Sequence, residues 1–230
     1  MFATAPKVTE RYAPKDGFHH VKFEQWSSSP ILQEYFHLRK KVFVDELGWS
    51  LKVGPDGEFD QYDRVGVDYI LSVQNGQLLG GMRVAPTTTR FTHDWKEHSY
   101  MIRDSYNGIL DGMDPGMVYD EPPVDPRIWE MTRVIAPGEP KHFKALMDIS
   151  CKFLKLRGAS HYLFQTRPVV ERLGRMWHFD IAPIGPRLEI CGQNYQTFKV
   201  AVKRLNETSP TEASSRLTRR KDASGLLADA

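Results

Sequence analysis

The 230-residue chain is short of several things that would have fixed its class at once. It holds two cysteines, Cys151 in an apolar-periodic helical stretch and Cys191 in a turn-like one. That excludes a disulfide framework and suits a reducing compartment. No apolar run approaches the ~20 residues of a membrane span. The N-terminal MFATAPKVTERYAPKDG has no apolar core of a secretory signal, so a cytoplasmic location is expected. A Gly-rich dinucleotide fingerprint and a phosphate-binding P-loop are both missing. The eight histidines are scattered. His19-His20 and Asp94…His98 lack the spacing of a metal site, and no metal is expected. No Ser-His-Asp or Cys-His arrangement points to hydrolysis. Helix-turn-helix, zinc-finger and RNA-recognition signatures are absent, which argues against a nucleic-acid partner. There is no internal repeat.

What is present describes a globular domain. Hydrophobic residues make up 40% and charged residues 26% of the chain, as in ordinary folded proteins, and the length suits one domain with a real core. The expected domain spans 1–205, with residues 1–20 loosely ordered. Residues 206–230 are polar, lack an apolar period and read as a disordered tail. The net charge of +2 is unevenly spread: residues 1–125 carry 13 Lys and Arg against 19 Asp and Glu, and residues 126–230 carry 18 against 10. A basic C-terminal half implies an acidic partner.

Ser29-Pro30 opens a helix, with Ile31, Tyr35, Leu38 and Val42 at helical spacing and Gly48 at its end. Residues 49–67 read as a loop fit to close over a ligand. Asp68–Val73 and Leu78–Val84 read as strands joined at Asn75-Gly76, a strong hairpin signal. Gly80-Gly81 inside the second implies a bulge or a close backbone approach. Residues 86–127 read as irregular, and so long a loop in a compact domain is often functional. Ile128–Ile135 is a strand and Lys141–Arg157 an amphipathic helix. His161–Gln165, Val169–Trp177 and Tyr195–Val202 follow as strand, helix and strand. The order predicts a layered α/β domain with a mixed sheet.

Six charged residues stand among large apolar ones: Arg39, Asp60, Asp63, Arg83, Glu130 and Arg133. Buried charge is costly unless it meets opposite partners, and this set is balanced, three against three. The pattern points to a site for a polar, zwitterionic ligand. On a regular strand Glu130 and Arg133 face opposite sides, so they would meet only across a bulge or at a strand end.

These residues also carry a resemblance. Arg39-x3-Phe43-x5-Trp49, Asp60-x2-Asp63, Arg83 after a Gly-containing strand and Glu130-x2-Arg133 resemble the pattern of the acyl-homoserine-lactone (autoinducer) synthases. The likeness runs over about residues 35–135 and more weakly to about 200. It departs from the family at Thr132, where Ser is frequent. It departs again at Phe164-Gln165-Thr166, where adjacent small polar residues usually face the acyl chain and only Thr166 fits. The resemblance implies a three-layer sandwich around a mixed, mostly antiparallel sheet, similar to the N-acetyltransferase fold. It implies two substrates, S-adenosylmethionine and an acyl thioester on acyl carrier protein or coenzyme A, and no further cofactor. It makes Glu130 the candidate base, and Arg39, Phe43, Trp49, Asp60, Asp63, Arg83, Arg133 and Thr166 the candidate substrate-binding residues. Arg39 is then expected to grip the substrate carboxylate, and Phe43 and Trp49 to flank adenine or the sulfonium. An acyl pocket is expected near Met131, Leu154, Phe164 and Trp177. Lys141, Lys144, Lys152, Lys155, Arg157, Arg172 and Arg175 would form a landing surface for the acidic carrier protein.

Overall fold

The computed structural model describes residues 16–136 and 138–202. The expected tail at 206–230 lies outside the described residues. In chain order the elements are β1 (Gly17–Lys22), a 3₁₀ turn (Phe23–Ser28), α1 (Pro30–Arg39), a π-helical turn (Lys40–Glu46), β2 (Val53–Gly54), β3 (Gly57–Glu58), β4 (Asp68–Gln74), β5 (Gln77–Pro86), β6 (Phe91–His93), β7 (Lys96–His98) and α2 (Met101–Tyr106). After a 3₁₀ turn (Pro115–Met117) come β8 (Ile128–Ile135), α3 (Pro140–Leu156), β9 (His161–Thr166), α4 (Val169–Met176), β10 (Ile181–Ile190) and β11 (Gln193–Ala201).

Seven strands form one sheet in the order β1-β4-β5-β8-β9-β11-β10. Every pairing is antiparallel except β8 with β9. Alternation along the strands gives each face its own core. Ile70, Met82, Val84, Trp129, Met131, Tyr162 and Phe164 pack with Leu146, Met147 and Leu154 of α3 on one side. Tyr69, Leu71 and Val73 meet Ile31, Leu32, Tyr35 and Phe36 of α1 on the other. Farther along that second face, Ile128 and Leu163 are covered by Tyr100, Ile102, Met117 and Val118. The result is the mixed, mostly antiparallel sheet between helical layers that the sequence predicts.

The helix at Ser29-Pro30 forms as expected, although Ser29 contributes its carbonyl, which accepts from Leu32 and Gln33, and makes no side-chain cap. The hairpin turns at Asn75 (φ 53°) and Gly76 (φ 69°), as the Asn-Gly signal requires. Gly80 is demanded by a close approach, because a Cβ there would lie 2.1 Å from the Ile135 carbonyl oxygen. Two expectations need correcting, and one strand has no counterpart in the sequence reading. Residues 17–20, expected to be loosely ordered with the rest of 1–20, belong to edge strand β1, whose Val21 is buried beside α1; residues 1–15 lie outside the described residues. Residues 181–190 form β10, hidden in the sequence by Pro183 and Pro186, which fall where the pairing with β11 shifts register. The segment 86–127 folds as the β6–β7 hairpin, α2 and a 3₁₀ turn laid across the sheet.

Two features position the site. The parallel pairing of β8 with β9 covers Ile128–Glu130 against His161–Leu163 and then stops. Beyond Glu130 and Leu163 the two strands continue without pairing to each other. Within β8, the register against β5 shifts by one residue between Thr132 and Ile135, and Arg133 takes φ 53°. This is a β-bulge.

Candidate active site

The site is built around three arginines from three elements. Arg39 at the end of α1 is fully buried. Its Nη1 and Nη2 donate to the two carboxylate oxygens of Asp63 at 2.7 and 2.8 Å, and its Nε donates to Glu58. Arg83 of β5 donates through Nη1 and Nη2 to Asp60, through Nη1 to Asp63 at 2.8 Å, and through Nε to the Thr132 hydroxyl at 2.9 Å. Arg133 of the bulge reaches Glu58 through Nε and Nη2, the latter at 3.0 Å, and Asp60 through Nη2 at 2.9 Å. Each guanidinium meets two carboxylates, which offsets the desolvation that makes isolated buried charge so costly. Burial alone would push the Asp63 carboxyl up, but Arg39 and Arg83 more than offset it and hold it well below the usual carboxylate range.

Local structure explains how the acids come to lie there. Gly57, at φ 106°, lets β3 pass against α1, since a Cβ would sit 2.3 Å from the Phe36 carbonyl oxygen. The next residue, Glu58, thereby lies within reach of Arg39. Asp60 and Asp63 organise their own turn: Asp63 N–H donates to the Asp60 carbonyl at 3.0 Å, Asp60 N–H to the Asp63 carboxylate at 2.9 Å, and Tyr62 N–H to the Asp60 carboxylate at 2.9 Å. The Tyr69 hydroxyl adds a bond to Asp63 at 2.7 Å. The bulge places Arg133 on the same face as Thr132, where a regular strand would separate them. The Tyr35 hydroxyl donates to the Arg133 carbonyl and secures it.

Five of the six charged residues singled out in the sequence therefore converge, and the third acid of the cage is Glu58, which sequence reasoning passed over. Its signal was present: GEFDQYD offers three acids at spacings of two and three. Arg39 differs from expectation, because all three of its nitrogens are spent on Glu58 and Asp63 and its fork is not presented to a ligand. Arg133 keeps Nη1 out of these bonds.

Glu130 stands beside the cage rather than in it. It projects from β8 on the face of Thr132 and accepts backbone N–H bonds from Met101 at 3.0 Å and Ile102 at 2.8 Å, so it pairs with neither Arg133 nor Arg83. Burial pushes its carboxyl up to about 7, against the N–H groups of Ile102 and Met101 and the Arg83 guanidinium, which pull it down. Glu130, Arg83 and Thr132 line one small cavity with Tyr62, Ser99 and Tyr100.

Phe43 and Trp49 come together because the π-helical turn and Gly48 (φ 68°) fold the chain back, and Trp49 N–H donates to the Phe43 carbonyl at 2.9 Å. Their rings stack with centroids 5.0 Å apart, the Arg133 guanidinium lies 5.6 Å from the Phe43 centroid, and Trp49 meets the Tyr195 ring edge-on. Thr166 ends β9 in register with Gln196, on the face of Tyr162 and Phe164, and is not bonded to the cage. Of the expected acyl-pocket residues, Met131 and Leu154 are fully buried core. Phe164 and Trp177 line an apolar cavity with Phe143, Met147, Tyr162 and Val170. Four of the seven basic residues expected at a landing surface have partners: Lys141 with Glu139, Lys144 with Asp148, Arg175 with Glu171 and Arg157 with Asp68.

A largely antiparallel sheet with one short parallel pair, helices on both faces and an acid where that pairing ends has the acyltransferase-like class of fold. Comparison with known proteins narrows the class. The model of the autoinducer synthase family matches residues 23–119. An acyl-homoserine-lactone synthase of Acinetobacter nosocomialis is 27% identical over 185 residues, which span 74% of this chain and 91% of the relative. Among solved structures, TofI in complex with an inhibitor and MTA aligns with a TM-score of 0.62 at 25% identity, over 74% of this chain and 84% of that one. The CoA-dependent acyl-homoserine lactone synthase BjaI, solved with SAM and isopentyl-CoA, aligns with a TM-score of 0.66 at 20% identity, over 88% of both chains. Over the matched residues the chain is similar to the autoinducer synthases, and the curated relatives extend that likeness over about three quarters of its length.

Proposed function

We propose that the protein makes an N-acyl-L-homoserine lactone from S-adenosylmethionine and an acyl thioester, and that S-adenosylmethionine acts as a substrate with no further cofactor. The amine nitrogen of S-adenosylmethionine attacks the thioester carbonyl, forming the amide as the C–S bond breaks and the thiol leaves. The amine proton passes to Glu130, directly or through one water, and from there to the departing sulfur. A carboxyl with a pKa near 7 suits that exchange at neutral pH. The methionine carboxylate then attacks its own γ-carbon, the C–S⁺ bond breaks, and methylthioadenosine leaves as a neutral thioether. This second step needs mainly in-line positioning, which can contribute several kcal/mol.

The observation that carries the reading is the buried cage of three arginines and three carboxylates set beside a carboxyl tuned to neutrality. In this reading Arg39, Asp60, Asp63 and Arg83 hold the substrate pocket rigid and Arg133 Nη1 meets the substrate carboxylate. The stacked Phe43–Trp49 pair flanks the adenine or sulfonium. The thioester enters where β8 and β9 cease to pair, and backbone N–H groups at the strand irregularity face the oxyanion. Its acyl group passes Thr166 toward the aromatic cavity under α3 and α4. Lys152, Lys155 and Arg172 form no ion pair among the described residues and would meet an acidic carrier protein; coenzyme A is the other donor.

The test is turnover of purified protein with S-adenosylmethionine and a series of acyl thioesters. Equal release of methylthioadenosine and free thiol, with the lactone identified by mass spectrometry, is expected. Thiol release that requires an added amine in place of S-adenosylmethionine, with no methylthioadenosine formed, would instead identify an N-acyltransferase acting on a different amine.

A further inference from the structure

Asp104 lies outside the family motif and outside the chemistry above, yet it is among the most thoroughly bonded side chains in the molecule. It is buried in the first turn of α2. Its Oδ1 accepts from Ser99 N–H at 2.9 Å and from the Ser99 hydroxyl at 2.7 Å. Its Oδ2 accepts from the Tyr62 hydroxyl at 2.7 Å and lies 2.9 Å from His98 Nδ1. These partners belong to two separate parts of the site. Tyr62 sits between Asp60 and Asp63 in the loop that holds the arginines, and its ring lies beneath the Arg83 guanidinium at 5.6 Å. Ser99 leads directly into Met101 and Ile102, whose N–H groups hold the Glu130 carboxylate.

We propose that Asp104 is a positioning residue that fixes the arginine cage and Glu130 relative to one another. Without it, the loop at 59–67 and the start of α2 lose their common anchor. Glu130 then loses the two backbone donors that aim its carboxylate at the space beside Arg83. The inference rests, for its kinetic consequence, on the proposed synthase reaction.

Asp104→Ala tests it, with Tyr62→Phe as a milder variant that strands no buried charge. Both are expected to keep the circular dichroism of the wild type. Asp104→Ala is expected to lower kcat by ~100-fold, as small misplacements of catalytic groups do. KM for S-adenosylmethionine should change less than about threefold, because neither Arg133 nor the Phe43–Trp49 pair is bonded to Asp104. Tyr62→Phe cuts only the link to the loop and is expected to lower kcat by about tenfold.

The pH profile separates positioning from a mere charge effect. The groups facing Glu130 are Arg83 from β5, Tyr62 from the loop, and Tyr100 and Asp104 from the α2 segment. Deleting the Asp104 charge alone would draw the acid limb of kcat/KM to lower pH. Loss of the Met101 and Ile102 donors drives it to higher pH, and that is the expected result. Faster amide exchange at Met101 and Ile102 in Asp104→Ala is expected as well, and this readout needs no turnover. Unchanged exchange, an acid limb moved to lower pH, or wild-type kcat in Tyr62→Phe would each overturn the proposal. Should wild-type protein form no lactone, the functional reading falls while the exchange data still decide the role of Asp104.

Discussion

The two faces of the central sheet handle burial in opposite ways. On the α1 face, three guanidinium groups and three carboxylates are packed almost out of reach of solvent and are stable only as a mutually satisfied set. On the α3 and α4 face, rings and aliphatic side chains line a cavity whose order depends on shape alone. The charged face is brittle, because removing one member strands its partners. The aromatic face is adaptable, because a truncated ring leaves a void and strands no charge. An enzyme that binds one invariant substrate and one variable substrate gains from that division: the invariant grip is over-determined and the variable pocket is free to change.

The largest expected effect comes from Asp63→Ala, which removes the partner shared by Arg39 and Arg83. A loss of about 3–5 kcal/mol in chemical denaturation is expected, together with loss of product. A cost under about 1 kcal/mol would show that the cage is no more demanding than an exposed ion pair. Because the folded Asp63 carboxyl is held below its unfolded range, its contribution is present above the unfolded pKa of about 4 and fades as the pH falls below that value. Acid titration followed by tryptophan fluorescence measures this loss.

Glu130→Gln is expected to lower kcat/KM by ~100-fold or more while leaving the cage folded. Its sign in stability runs opposite to that of Asp63. The folded carboxyl is raised to about 7, so its contribution is complete below the unfolded value and is lost as pH rises through about 7. The glutamine variant should therefore denature no earlier than wild type at pH 8. Wild-type activity should rise through the same range as the carboxyl ionises. A pH-independent rate between 6 and 8 would remove Glu130 from the role of base.

On the other face, Trp177→Ala is expected to cost less stability than Asp63→Ala, since Trp177 is only partly buried. It should shift acyl preference toward longer chains, read as the ratio of kcat/KM values across an acyl-coenzyme A series. An unchanged preference would detach the aromatic cavity from the acyl group. The smallest effect is expected from Lys152→Glu, which should slow turnover with a carrier-protein donor, most at low salt, and spare a coenzyme A donor. Equal slowing with both donors would remove the landing surface.

The fold was legible in the sequence wherever a local rule governs it. Asn75-Gly76, Pro30, Gly48 and the stripe of α3 all act within a few residues, and their elements formed where expected. What escaped depends on remote partners. β10 gives no strand signal because Pro183 and Pro186 interrupt its pattern, and the register shift against β11 accommodates them. The gathering of Arg39, Asp60, Asp63, Arg83 and Arg133 followed from the need to pair buried charge. The partner assignments did not, because Glu58 reaches Arg39 only where Gly57 lets β3 touch α1. Asp104 was illegible for the same reason: its carboxylate serves a tyrosine 42 residues away.

The extra residue in β8 makes the Glu130-x2-Arg133 spacing a count and not a rhythm. Deletion of Val134 alone would restore an uninterrupted ladder with β5 while keeping that count. Yet parity would then carry the guanidinium through the sheet, away from Glu58 and Asp60 and into the apolar layer beneath α3. A more regular strand would thus make a worse protein, and the irregularity is what selection on this segment has to preserve.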